Sequence, residues 1–151
     1  MKNIIFVCHG NICRSPMAEF VFKDLLQKRH LEHSFTVASS ATSREEIGHP
    51  VHPGTRKILA QNGISYDGKT SLQFRKNDYD FYDIIVCMDD FNVRNLLRII
   101  GTDPDGKVCK LLDFTGNSGD IADPWYTGDF DETYADVKAG CEGLLEHLLK
   151  R

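Results

Sequence analysis

The sequence lacks any basic excess: 18 lysines and arginines stand against 22 aspartates and glutamates, for a net charge of −4. Neutralising nucleic-acid phosphates takes a clustered positive surface, so nucleic acid is not an expected partner. The same balance argues against docking on an anionic membrane. Long apolar runs are also missing, and none approaches the roughly 20 residues a membrane-spanning helix needs. The opening MKNIIFVC is shorter than the apolar core of a signal peptide, about 7–15 residues, and it runs straight into a polar loop, so it reads as a core strand. Cysteine is sparse and odd in number: Cys8, Cys13, Cys87, Cys109 and Cys141, with no CxxC pair. Neither these nor the six histidines fall at metal-ligand spacings. Reduced thiols in the cytoplasm are expected, with no metal and no cofactor. Cys87, Cys109 and Cys141 read as small core hydrophobes. Linkers, repeats and low-complexity segments are absent, and 151 residues suit a single domain spanning 1–151.

What is present alternates between strand and helix. Residues 3–7 form a β-branched and aromatic run, the pattern of a buried parallel strand. Ser15-Pro16 opens a helix, because proline's missing N–H costs nothing in a first turn. Met17, Phe20, Val21 and Leu25 give that helix an apolar face to about residue 29 or 30. A second strand is expected at 35–39, a surface loop at 40–54, and a helix near 55–62 stopped by Gly63. Residues 64–73 read as irregular. A third strand follows at 83–88, a helix at 91–100, a fourth strand at 107–112, a long loop at 113–129 and a final amphipathic helix from 131 or 132. The expected fold is α/β: a three-layer sandwich with a four-stranded parallel twisted sheet and helices on both faces. Ligands in such sheets bind beyond the C-terminal strand ends, where the polar loop after the first strand lies.

That loop, CHGNICRS, carries the chemistry. Cys8 and Arg14 are six positions apart, and Ser15-Pro16 follows. Gly10 permits unusual backbone conformations and Asn11 tolerates the left-handed region. Successive amides of such a loop can form an anion-binding nest, and a helix starting near Ser15 adds free N–H groups. The backbone from His9 through Gly10, Asn11, Ile12 and Cys13 to Ser15 would ring a phosphate, with the Arg14 fork matching two of its oxygens. A thiol at the base of the ring becomes a thiolate and hence a nucleophile. Cys13, close by in sequence, opens a redox route. A departing phosphoester oxygen needs a proton. Asp123 is the candidate donor, held extended by Pro124, with Trp125 and Tyr126 as an aromatic wall beside the entry.

These two stretches, VCHGNICRSPMAE and IADPWY, resemble the signatures of the low-molecular-weight protein tyrosine phosphatases, and the CMDDFN segment and closing helix are similar too. The resemblance implies a metal-independent phosphatase acting in two steps on phosphotyrosine proteins through a phosphocysteine. It makes Cys8 the nucleophile, Arg14 the phosphate clamp and Asp123 the general acid. It also implies that Asn11 and Ser15 hold the loop, that Ser39 supports the network, and that Cys13 bonds reversibly to Cys8 under oxidation. Three positions depart from the family pattern. Trp125 stands where tyrosine is common, Glu45 or Glu46 replaces a loop aromatic, and Lys69 lies near a usual histidine; all three are expected to reshape the rim. A monomer is expected, with weak self-association through Trp125 and Tyr126 open. A thiol-dependent arsenate reductase would need relay cysteines, and residues 90–100 hold none. A protein-arginine phosphatase would, by resemblance, carry threonine where Ile12 stands. A non-catalytic phosphate-binding module would need neither Cys8 nor Asp123.

Overall fold

The computed structural model describes residues 1–66 and 68–150. Strand β1 (Lys2–Cys8) leads through the polar loop into α1 (Arg14–Lys28), then β2 (Phe35–Ala41), α2 (Pro53–Gln61) and a short α3 (Asp78–Phe81). Next come β3 (Ile84–Cys87), α4 (Asp90–Ile100) and β4 (Val108–Lys110). A 3-10 turn (Leu111–Phe114), the short α5 (Pro124–Thr127) and α6 (Phe130–Leu149) complete the chain. The sheet order is β2-β1-β3-β4, with every pairing parallel. The chain leaves β1 toward one edge and β3 toward the other, so the strand order reverses beside the C-terminal end of β1.

Alternation along β1 divides the core. Ile4, Phe6 and Cys8 join Met17, Phe22, Leu59, Val137 and Leu144 on one face. Ile5 and Val7 join Phe74, Tyr79, Ile85 and Leu96 on the other. A strand buried on both faces has to be apolar throughout, as the central residues of β1 are. The first residues of α1, Arg14 and Ser15, are themselves buried, because the helix begins inside the functional loop.

The structure moves several boundaries. β2 runs on to Ala41, since pairing with β1 continues to Cys8↔Ala41. The fourth strand stops at Lys110 rather than 112, because the backbone tightens into the 3-10 turn to seat fully buried Leu111 against α6. That helix approaches closely: a Cβ on Gly140 would lie 2.4 Å from Leu111 Cγ, and one on Gly143 would lie 2.1 Å from the Phe114 carbonyl oxygen. Helix α6 begins at Phe130, capped by Asp129, whose side chain accepts from the Glu132 N–H. Bridges Pro50↔Thr70 and Ala41↔Gln73 tie down residues 70 and 73, and the loop at 113–129 contains α5.

Candidate active site

β1 ends at Cys8, which places its sulfur where the loop turns. Asn11 sits at φ 57°, in the left-handed region, a conformation that asparagine tolerates better than most residues. Two amides then point back at the sulfur: Asn11 N at 3.3 Å and Ser15 N at 3.4 Å. The Ser15 hydroxyl lies 3.0 Å from it. Asn11 Nδ2 donates to Ser15 Oγ at 2.7 Å and to Ser39 Oγ at 2.9 Å. Each hydroxyl therefore accepts from Asn11 and passes its own proton onward, Ser39 to Glu19 Oε1 at 2.6 Å and Ser15 toward Cys8. Leu72 N fixes the amide's orientation by donating to Asn11 Oδ1 at 3.2 Å. The far end of this chain is the buried carboxylate of Glu19, paired with Lys23 at 2.6 Å and Lys69 at 3.9 Å.

Lys69 is a correction. It was expected on the rim, yet its side chain is 11% exposed and its Nζ donates to the Ser39 carbonyl at 2.8 Å. Burial lowers its pKa, while Glu19 pulls it back up. The buried Glu19 carboxylate supplies the counter-charge that draws the lysine inward.

Arg14 is 2% exposed. Its Nη1 donates to Asp89 Oδ2 at 2.7 Å and to the Ile121 carbonyl at 2.9 Å, and its Nη2 approaches Asp123 Oδ2 at 3.5 Å. Burial opposes the charge, but Cys8, Asp89 and Asp123 outweigh it and raise the pKa further. Nε is buried without a partner among the described residues, a donor left over for a bound oxyanion. Asp89 is held in turn as the N-cap of α4, accepting from Asn92 N at 2.8 Å.

Asp123 caps α5: its Oδ1 accepts from the Trp125 N–H at 3.0 Å, leaving Oδ2 toward Arg14. The segment is anchored two residues earlier, where fully buried Ile121 donates its N–H to the Met88 carbonyl at 2.9 Å. A cleft of about 120 Å³ thus brings together Cys8, Arg14 and Asp123, with His9, Gly10, Ile12 and Cys13 around them. Trp125 and Tyr126 form an exposed wall. Trp125 leans edge-on against His52, which stacks on Phe130. Glu45 and Glu46 complete the lip, paired with His9 at 2.6 Å and His49 at 2.7 Å. The side chains of Asn11 and Ser15 are absent from the cleft lining and bond to each other and, through Ser15, to the sulfur.

Cys13 is buried with its carbonyl accepting from the Thr55 hydroxyl at 3.2 Å. Burial first, then the Cys8 and Asp123 charges, push its thiol up to about 12. Burial likewise raises Cys87, Cys109 and Cys141, which fill the core. Sequence reasoning missed Asp89, Glu19, Ile121 and Ser71, whose hydroxyl holds the Gly10 carbonyl at 2.8 Å. Of these only Asp89 carried a signal, a carboxylate just past the C-terminal end of a central strand. In chemical terms the cleft offers a hydrogen-bonded thiol, a fixed cation and a carboxyl group around one small volume.

Residues 3–151 match the family model described as low molecular weight phosphotyrosine protein phosphatase. The chain is 41% identical to the low molecular weight protein-tyrosine-phosphatase YfkJ of Bacillus subtilis, over 99% of this chain and 97% of that protein. It is 40% identical to PtpA of Staphylococcus aureus, a protein of the same description, over 99% and 96%. The crystal structure of YfkJ superposes with a TM-score of 0.96 over 99% of this chain and 96% of the other. A protein tyrosine phosphatase from Entamoeba histolytica, crystallised with Hepes in its active site, gives 0.91 at 30% identity, over 99% and 98%.

Proposed function

Because the chain belongs to the low molecular weight phosphotyrosine protein phosphatase family, we propose that it hydrolyses phosphotyrosine in proteins with Cys8 as nucleophile, Arg14 as phosphate clamp and Asp123 as general acid. One observation carries the assignment. Two amides and a hydroxyl reach Cys8 Sγ within 3.4 Å, in the same cleft as Arg14 and Asp123.

Donors aimed at a sulfur stabilise the thiolate over the thiol. The thiolate attacks phosphorus, an S–P bond forms and the P–O bond to the tyrosine ring breaks. Asp123 Oδ2 gives its proton to the leaving phenolate oxygen. Asp123, now a carboxylate, takes a proton from water, whose oxygen attacks phosphorus. The S–P bond breaks, phosphate leaves and the thiolate is restored, with the Ser15 hydroxyl supporting its negative charge. Asp89 and the Ile121 carbonyl occupy Arg14 Nη1 and Asp123 lies 3.5 Å from Nη2, which leaves Nε as the donor for a phosphoryl oxygen. The preorganised donors bear on the charge that develops at those oxygens. No step calls for a metal. Five unpaired cysteines fit a reducing compartment such as the cytoplasm, and the chain works as one domain.

The test is a leaving-group series of aryl phosphates without added metal. Cys8→Ser should abolish turnover while retaining phosphate binding. Asp123→Ala should slow poor leaving groups by about 10²–10⁴-fold and good ones far less. Equal losses across the series would remove Asp123 from the role of acid, and turnover by Cys8→Ser would remove the nucleophile.

A further inference from the structure

The lip of the cleft is acidic, and that has a cost. The reading above seats a phosphate dianion on Cys8 and Arg14, yet Glu45 and Glu46 line the same cleft. Both are tied to a neighbouring histidine, Glu45 exposed and Glu46 largely covered. Glu45 Oε2 lies 2.6 Å from His9 Nε2 of the functional loop. Glu46 is three-quarters covered and bonded to His49, and its Cγ would lie 3.4 Å from a Cβ on Gly10. The Glu46 side chain therefore packs beside the loop at Gly10. Among the described residues, Arg14 is the sole lysine or arginine lining the cleft; it is buried, and its Nη1 and Nη2 already face Asp89 and Asp123. On the phosphatase reading its Nε is the donor left for the phosphate, and the two glutamates line the same cleft.

Carboxylates beside a dianion weaken its binding by repulsion unless the substrate brings positive charge to meet them. We infer that Glu45 and Glu46 are specificity-determining residues that select phosphotyrosine flanked by lysine or arginine and reject acidic flanks. This rests on the phosphatase reading and narrows its substrate class. The mechanism is a difference of affinities: the same pair attracts a cationic neighbour and repels an anionic one. Neither glutamate takes part in bond making, so the preference should fall on peptide binding.

The experiment compares kcat/KM for phosphotyrosyl peptides of equal length that carry lysine, alanine or glutamate on both sides of the phosphotyrosine, with free phosphotyrosine alongside. At low ionic strength the lysine peptide should exceed the glutamate peptide by about tenfold, and the ratio should shrink as salt screens the charges. In the Glu45→Gln/Glu46→Gln double variant the ratio should fall to about twofold or less, and Glu45→Lys/Glu46→Lys should invert it. Hydrolysis of free phosphotyrosine with no preference among the peptides would overturn the inference and leave the phosphatase reading standing. A lysine preference that persists undiminished in both double variants would also overturn it. Failure to hydrolyse any of the substrates would overturn the phosphatase reading and the inference together.

Discussion

Single residues here have work that depends on which atoms are already taken. Asn11 is a clear case: its amide donates to two serine hydroxyls, which leaves their protons for other acceptors, Glu19 for Ser39 and the Cys8 sulfur or the Ser40 carbonyl for Ser15. Cys13 is another. It lines the cleft with Cys8, but burial and the Cys8 charge keep it a thiol, with a pKa of about 12. Cys8, proposed above as the nucleophile and faced by the Asn11 and Ser15 amides, is the sulfur that peroxide meets first. Peroxide would convert it to a sulfenic acid, releasing hydroxide. That removes the negative charge that had held Cys13 up, so the Cys13 thiol loses its proton more readily and attacks to form a disulfide, releasing water. Peroxide should accordingly inactivate the protein, and added dithiol should restore most activity. In Cys13→Ala the recovered fraction should fall about fivefold or more, because sulfenic acid then proceeds to irreversible forms. Full recovery in that variant, measured by aryl phosphate turnover, would rule out Cys13 as the partner.

Among the elements, the segment carrying Asp123 is held by its neighbours rather than by its own structure. Ile121 is its buried anchor. Lys110, at the end of β4, adds a second hold: its Nζ bridges Asp120 at 2.9 Å and Asp90, at the start of α4, at 3.0 Å. These two bonds raise the lysine's pKa, so the bridge stays charged across the neutral range. Lys110→Met should slow poor leaving groups by about fivefold while leaving good ones nearly unchanged, and Lys110→Arg should restore them. A uniform loss across leaving groups would indicate a general structural effect. The contact between α6 and the 3-10 turn is close. Gly143→Ala sets a methyl group against the Phe114 carbonyl and should cost about 2–3 kcal/mol of stability, read from the urea midpoint. No change in midpoint would mean that α6 can shift without loss.

Across the whole molecule, a polar clamp far along the chain from the site ties α3 to β4. Asp103 Oδ1 accepts from the Tyr79 hydroxyl at 2.5 Å and from Lys107 N at 2.8 Å, and Oδ2 accepts from Val108 N at 3.1 Å. Burial would raise the carboxyl's pKa, but the Tyr79, Lys107 and Val108 hydrogen bonds outweigh it and lower it. A carboxylate depressed in the folded state stabilises fully above its ordinary value of 3.8, and that contribution is lost as pH falls below it through the folded value. Asp103→Asn should therefore lower the unfolding free energy at neutral pH, and its gap from wild type should narrow as pH drops below 3.8. A gap independent of pH would deny the carboxylate that role. On this scale the sequence alone determined the strand and helix alternation and the parallel α/β fold, and it singled out Cys8, Arg14 and Asp123, which line one cleft. Those features are written in local periodicity and in two short motifs. It could not show that Lys69 turns inward, that Asp89 and Ile121 hold the arginine, or that Glu19 ends the serine chain. Each of these contacts joins residues tens of positions apart, and only the parallel pairing of β1 with β2 and β3 brings them together. The acidic lip has the same origin: Glu45 and Glu46 are a charged pair in a loop until folding sets them against Gly10 and His9, beside the sulfur.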